Sequence, residues 1–111
     1  EKVKNAILRF ELDYARKPVV ALMGLAFKPN IDDLRESPAM EIVKELHADA
    51  HGAKLLVVEP NISEHKEYLL TYASDAYAQA DIVVFLTAHK PFFDLPFVEG
   101  KQILDFCGIR K

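Results

Sequence analysis

The run Val19-Val20-Ala21-Leu22-Met23, closed by Gly24, most limits what this chain can fold into. A strand with one wet face shows a polar residue at every second position, and this run shows none. It suits a strand covered on both faces, as in a parallel sheet. Gly24 then lets the backbone turn tightly without a Cβ clash. Residues 25–36 lack regular periodicity and read as a loop rich in charge. Ser37 is a good N-cap and Pro38 suits the first helical position, so a helix opens there.

The rest of the chain repeats this alternation. Val3, Ala6, Ile7, Phe10 and Tyr14 recur at helical spacing, so residues 1–16 read as an amphipathic helix closed by Pro18. This helix is expected to be the tail of an upstream element whose main packing partner lies elsewhere. Met40, Val43, Leu46 and Ala50 mark the apolar face of the second helix, and Gly52 its terminator. Lys54–Val58 form a second strand, followed by Glu59-Pro60. The segment 61–73 suggests a helical turn around Ser63–Tyr68 and a short strand near Leu69–Tyr72. Ser74 is placed to cap a short helix to Ala80. Ile82–Leu86 carry the strongest strand signal in the chain. Residues 87–100 read as a loop broken by Pro91, Pro96 and Gly100, and Gln102–Asp105 as a last strand. The pattern predicts an α/β fold: a three-layer, Rossmann-like domain with a mainly parallel sheet. Ligands of such sheets bind beyond the carboxyl ends of the strands, where the loops at 24–37, 59–62, 87–96 and 105–110 would gather.

Bulk properties narrow the function. The 111 residues suffice for one domain with one core. A net charge of −3 argues against a duplex nucleic-acid partner, which needs a basic face to neutralise phosphates. No apolar run has bilayer-spanning length and no signal-peptide pattern opens the chain, so no membrane role is expected. The single cysteine, Cys107, excludes an internal disulfide and points to a reducing, cytoplasmic setting. A chain opening on Glu1 rather than Met is expected to be a fragment of a longer protein.

The dinucleotide fingerprint needs three glycines after the first strand. Here Gly24-Leu25-Ala26-Phe27-Lys28-Pro29 keeps only the first, so an NAD site built wholly from this chain is not expected. Lys28 offers a mobile cation for a phosphate and Phe27 a flat apolar face. Asp32, Asp33, Arg35 and Glu36 form a dense charge cluster. Arg35 either forks onto a phosphate or joins ion pairs that only pin the loop. His47 and His51 have a metal-compatible spacing but no third ligand, and the helix dipole alone favours histidines there. Cys107 has no sequence-local base to activate it and reads as a bystander thiol. Thr87 and His89 follow the strongest strand; His89 either orients a ligand or caps the strand end.

The stretch from Gly24 to Ala39, Gly-Leu-Ala-Phe-Lys-Pro-Asn-Ile-Asp-Asp-Leu-Arg-Glu-Ser-Pro-Ala, closely resembles the signature that opens the C-terminal, UDP-binding domain of the UDP-glucose/GDP-mannose dehydrogenase family. Val57-Val58-Glu59-Pro60-Asn61 and Ala80-Asp81-Ile82-Val83-Val84 fit as well, so the likeness covers nearly the whole chain. Residues 1–17 are then a helix leading from a central region outside the chain, and 18–111 the UDP-binding domain. Within the family, the wording looks most like the branch acting on UDP-N-acetyl-D-mannosamine.

The resemblance implies an NAD-dependent enzyme that oxidises the C6 alcohol of a UDP-sugar to a carboxylate. An N-terminal Rossmann domain outside this chain would hold NAD, and a central helical region would form a homodimer. A cysteine nucleophile, also upstream, would hold the aldehyde-level carbon as a thiohemiacetal. Phe27 and Lys28 match the family's substrate-contacting pair, and Arg35 the motif arginine that reaches towards NAD. No catalytic group and no metal ligand falls in this chain, which alone would be inactive and monomeric. The basic residue that the family usually carries after its last strand aligns with Cys107, with Arg110 or Lys111 as possible substitutes. Two alternatives remain. One is the same domain from a UDP-glucose-type enzyme. The other is a phospho-accepting receiver module, which wants acidic residues directly after the first strand and an aspartate after the third.

Overall fold

The computed structural model describes residues 2–26, 34, 37–96 and 98–109. The apolar run forms the strand β1 (Val19–Met23). It lies inside a four-stranded parallel sheet, between β2 (Lys54–Val58) and β3 (Ile82–Phe85), with β4 (Gln102–Asp105) beyond β3. The register pairs Val20 with Leu55 on one side and with Ile82 on the other. Val20, Ala21, Leu22 and Met23 are all fully buried, which explains why the run has no polar alternation.

The two faces of the sheet have different covers. Val20 and Leu22 face α1 (Lys2–Tyr14) and α2 (Pro38–Ala48), packing with Ile7, Phe10, Val43 and Leu46. Ala21 and Met23 face α3 (Ala73–Gln79) and a 3-10 turn over Lys90–Asp94, packing with Ala76, Tyr77 and Phe92. The three-layer α/β architecture is therefore the expected one. One face of α1 packs directly on this sheet through Val3, Ala6, Ile7 and Phe10. Its other side leaves Leu8, Leu12 and Tyr14 exposed. Tyr14, expected on the buried face, instead lies against Phe10 with ring centroids 4.5 Å apart.

Several local expectations are corrected. α1 stops at Tyr14, ahead of Pro18, because Ala15 turns to φ 57°. α2 has the expected Ser37 cap, with Met40 N donating to its hydroxyl. It ends at Ala48, and both His51 and Gly52 take positive φ in the turn that follows. Ser74 lies inside α3; Tyr72 holds the N-cap position without a side-chain bond. The expected loop at 87–100 contains the 3-10 turn, which forms because Pro91 sits at its start and Phe92 is buried against Phe85.

The segment 61–72 has no helical turn, but it contributes one informative contact. Leu70 makes an isolated parallel bridge to Val57, and Thr71 N donates to Val57 O at 2.8 Å. This single rung lies on the outer side of β2. With it, the spatial order is that of a Rossmann sheet whose third strand has shrunk to one bridge. A receiver-type sheet ends at its second strand, so the rung separates the two architectures.

Candidate functional site

β1 runs between β2 and β3, so the sheet order reverses beside it, and the crevice at that reversal is where a ligand of an open α/β sheet sits. Three strand ends meet there: Gly24 after β1, Glu59 after β2 and Thr87 after β3. Gly24 has φ +103°, a conformation that favours glycine. A Cβ on Gly24 would stand 2.7 Å from Thr87 Cβ, so the absent side chain is also what lets the two strand ends close.

Glu59 organises the polar side of this crevice. Its Oε1 accepts from Leu25 N at 2.8 Å, Ala26 N at 3.1 Å and His89 Nε2 at 2.8 Å. Its Oε2 accepts from Asn61 N at 2.9 Å. The Asn61 amide nitrogen faces His89 Nδ1 at 3.1 Å, which places the ring proton on Nε2, towards the carboxylate. Thr87 Oγ1 donates to Ala26 O at 2.9 Å. Ala26 is thus held at both its N–H and its carbonyl. The side chains of Glu59 and His89 are fully buried.

Burial alone would raise the Glu59 carboxyl. The hydrogen bonds from His89, Leu25 and Asn61 outweigh it and hold the carboxyl below its ordinary range. A buried carboxylate without such donors would take up a proton; with four donors Glu59 stays ionised at neutral pH. The network also answers the question about His89. The imidazole is fully buried and braces Glu59.

The last loop has a similar brace. Asp105 Oδ1 accepts from Gly108 N at 2.8 Å and from Ile109 N at 3.0 Å, curling the chain after β4. Cys107 sits in that curl half-buried. Burial and the Asp105 charge push its thiol up to about 11, so it is a neutral thiol near pH 7. On the other side of Glu59, Pro60, Asn61, Ile62, Leu70, Thr71 and Tyr72 line a cavity of about 580 Å³.

Of the residues singled out by sequence, Phe27, Lys28 and Arg35 lie outside the described residues, as do Asp32, Asp33, Glu36, Arg110 and Lys111. What the structure does place is the root of their loop, Gly24 to Ala26, and its re-entry at Ser37. His47 bonds Val43 O at 3.0 Å and packs at a tilt against the Tyr68 ring. His51 pairs with Asp49 at 3.6 Å. Among the described residues no cluster of three potential metal ligands exists. Glu59, Asn61 and Asp105 fall within loops expected at the binding edge, but the sequence assigns no role to any of them. Their shared signal is position: each is a polar residue at a strand's carboxyl end.

The fit to a dinucleotide can now be tested on geometry. A pyrophosphate at this turn would need the N–H groups after Gly24, and those of Leu25 and Ala26 are already given to Glu59. The described residues of this chain do not form an NAD cradle.

The family model for the UDP-glucose/GDP-mannose dehydrogenase family, UDP binding domain, matches residues 21–110. The UDP-N-acetyl-D-mannosamine dehydrogenase of Escherichia coli (strain K12) is 53% identical over 78 residues, covering 66% of this chain and 18% of that protein. The NDP-N-acetyl-D-galactosaminuronic acid dehydrogenase of Ralstonia solanacearum is 41% identical over 115 residues, covering 98% of this chain and 26% of that protein. A crystal structure of a ternary complex of GDP-mannose dehydrogenase from Pseudomonas aeruginosa superposes with a TM-score of 0.70 at 28% identity, covering 95% of this chain and 28% of that one. The chain thus spans about a quarter, or less, of the length of each of these proteins.

Proposed function

This chain belongs to the UDP-glucose/GDP-mannose dehydrogenase family as its UDP-binding domain, and from that we propose that it holds the nucleotide end of a UDP-sugar for an NAD-dependent 6-dehydrogenase. The observation that carries the reading is the family match over residues 21–110, joined to a strand-end crevice whose first turn is braced from two sides. In this reading residues 1–17 lead in from a preceding region, and 18–111 form the binding domain. Phe27 offers its ring to the nucleotide and Lys28 its charge to the diphosphate. Arg35 reaches across the cleft towards NAD. NAD, which supplies hydride-accepting chemistry when bound, is held mainly by the preceding part of the enzyme.

The substrate we assign is UDP-N-acetyl-D-mannosamine, oxidised at C6 from alcohol to carboxylate at the cost of two NAD, for surface polysaccharide synthesis. The 53% identity to the Escherichia coli protein supports that sugar. The match across 98% of the chain to the Ralstonia protein supports a second reading, another N-acetylated hexosamine. The division of labour is physically sensible. Binding energy from the non-reacting UDP end positions the sugar carbon against groups on the other domain. The complete enzyme is a cytoplasmic homodimer in this reading, and the isolated chain is inactive.

Calorimetric titration of the chain with UDP and with NAD tests the role of the domain. Weak UDP binding with no NAD binding is the expected result; NAD binding by the chain alone overturns it. NADH formation by the complete enzyme with each UDP-hexosamine decides the sugar.

A further inference from the structure

Open α/β sheets of this order receive a phosphate on the main-chain N–H groups of the turn after their first strand. In this chain the N–H groups of Leu25 and Ala26 point instead at one oxygen of Glu59, at 2.8 and 3.1 Å. His89 Nε2 meets the same oxygen at 2.8 Å, and Asn61 N meets the other at 2.9 Å. Both Glu59 and His89 side chains are fully buried. An internal carboxylate therefore stands in the place of an external anion.

We propose that Glu59, braced by His89, is a built-in anion that closes the first-turn amide site to phosphate and fixes the backbone from Gly24 to Ala26. A phosphate arriving at this turn would meet like charge and N–H groups already engaged. The same bonds restrict the exit of the loop: Leu25 and Ala26 are tied to Glu59, the Ala26 carbonyl to Thr87, and Gly24 N to Val58 O at 2.8 Å. Glu59 and His89 are positioning residues, since neither reaches the surface to touch a ligand. The effect on UDP affinity rests on the reading of this domain as the UDP holder; the exclusion of phosphate rests on the geometry alone.

The test compares the wild-type chain with Glu59→Ala, Glu59→Gln and His89→Gln. Amide NMR shifts of Leu25 and Ala26 are followed on adding inorganic pyrophosphate or formate, and UDP affinity is measured by calorimetry. In the wild type the two amides do not respond to pyrophosphate. In Glu59→Ala they respond to formate, because the space left by the buried side chain matches the carboxylate it replaces. UDP affinity falls about tenfold or more, the loss expected for one charge-assisted hydrogen-bond set, and excess formate restores it. Loss of fold alone does not yield anion-dependent rescue at these two amides. His89→Gln, with Glu59 still in place, excludes pyrophosphate but weakens UDP binding severalfold. Should Glu59→Ala fail to fold, Glu59→Gln, equal in size but uncharged, carries the UDP readout: its side chain still fills the site, so the amides stay silent to added anions and formate does not restore the lost UDP affinity.

Silent amides in folded Glu59→Ala given formate overturn the proposal, and so does unchanged UDP affinity in a folded Glu59 variant. If the wild type itself does not bind UDP, the UDP-holding role falls. The amide response to pyrophosphate and formate then still decides whether Glu59 is a built-in anion.

Discussion

Replacing Gly24 by alanine puts the closure of the strand ends to a quantitative test. Two independent penalties apply. Gly24 has φ +103°, outside the regions that L-residues readily adopt, and forcing a side chain there costs about 1–3 kcal/mol. The new Cβ would also stand 2.7 Å from Thr87 Cβ and 3.0 Å from both Thr87 N and Thr87 Oγ1. Two of these three contacts are main chain or Cβ, which cannot swing aside as the end of a long side chain would. Such overpacking costs about 1–3 kcal/mol more. The sum, roughly 2–6 kcal/mol, is a large part of the 5–15 kcal/mol or so that stabilises an ordinary domain. At about 4 °C per kcal/mol it lowers Tm by roughly 8–24 °C.

Urea and thermal unfolding of Gly24→Ala measure the total. The double variant Gly24→Ala with Thr87→Gly apportions it. Removing the Thr87 side chain deletes the contacts at Cβ and Oγ1 but leaves the main-chain contact and the backbone strain. The double variant should therefore be more stable than the sum of the singles by about 1–2 kcal/mol, a coupling expected only for residues in contact. A Gly24→Ala loss below about 1 kcal/mol refutes the reasoning. Additivity within about 0.5 kcal/mol refutes the Thr87 half of it.

At the opposite edge of the sheet, Asp81 accepts from Arg16 at 2.9 and 3.0 Å and from Val19 N at 2.8 Å. The Arg16 hydrogen bond, working against partial burial, holds its carboxyl below the ordinary value of 3.8. A lowered carboxyl contributes stability that is present above its unfolded pKa and is lost as pH falls through the folded one. Asp81→Asn should lower the urea midpoint at pH 7 and flatten its fall between about pH 5 and pH 2; an unchanged acid slope contradicts the pairing. Cys107, with its thiol near 11, should hold about one part in ten thousand thiolate at pH 7 and react slowly with iodoacetamide. Its rate should climb with pH well beyond 9, and fast labelling at pH 7 contradicts the burial argument. In the complete enzyme, Lys28→Ala should weaken UDP-sugar use more than Arg35→Ala does, while Arg35→Ala mainly raises the NAD requirement. Steady-state kinetics with each substrate varied decide this, and equal effects of both variants on both substrates sink the division of roles.

The layered fold could be read from the chain because its signals are local. β1, β2 and β4 keep the limits that their apolar runs suggested, and β3 loses only Leu86. Ser37 and Pro38 start α2 as capping chemistry requires. Errors arose where tertiary contact overrode local signals. Pro91 reads as a breaker, yet with Phe92 buried on Phe85 it begins a 3-10 turn. Leu69–Tyr72 reads as a strand, yet only one rung forms beside β2. A single rung leaves no periodicity to detect.

The brace of the crevice was far less legible, and the reason is topological. Glu59 and His89 are thirty residues apart and each reads alone as a polar loop residue. Nothing local separates a carboxylate that faces water from one that turns inward. Their meeting follows only once β1 is known to have β2 on one side and β3 on the other. The chain leaving β1 must then pass between whatever follows its two neighbours, and its freshly exposed N–H groups need acceptors there. In a dinucleotide-binding sheet a ligand's phosphate supplies them. Here the missing second and third glycines and the acidic residue after β2 are two sides of one arrangement. At this turn the acceptor is a side chain, Glu59. An acidic residue after the second strand also occurs in dinucleotide-binding sheets, where it meets the ribose; what differs here is that Glu59 turns inward onto the N–H groups of Leu25 and Ala26.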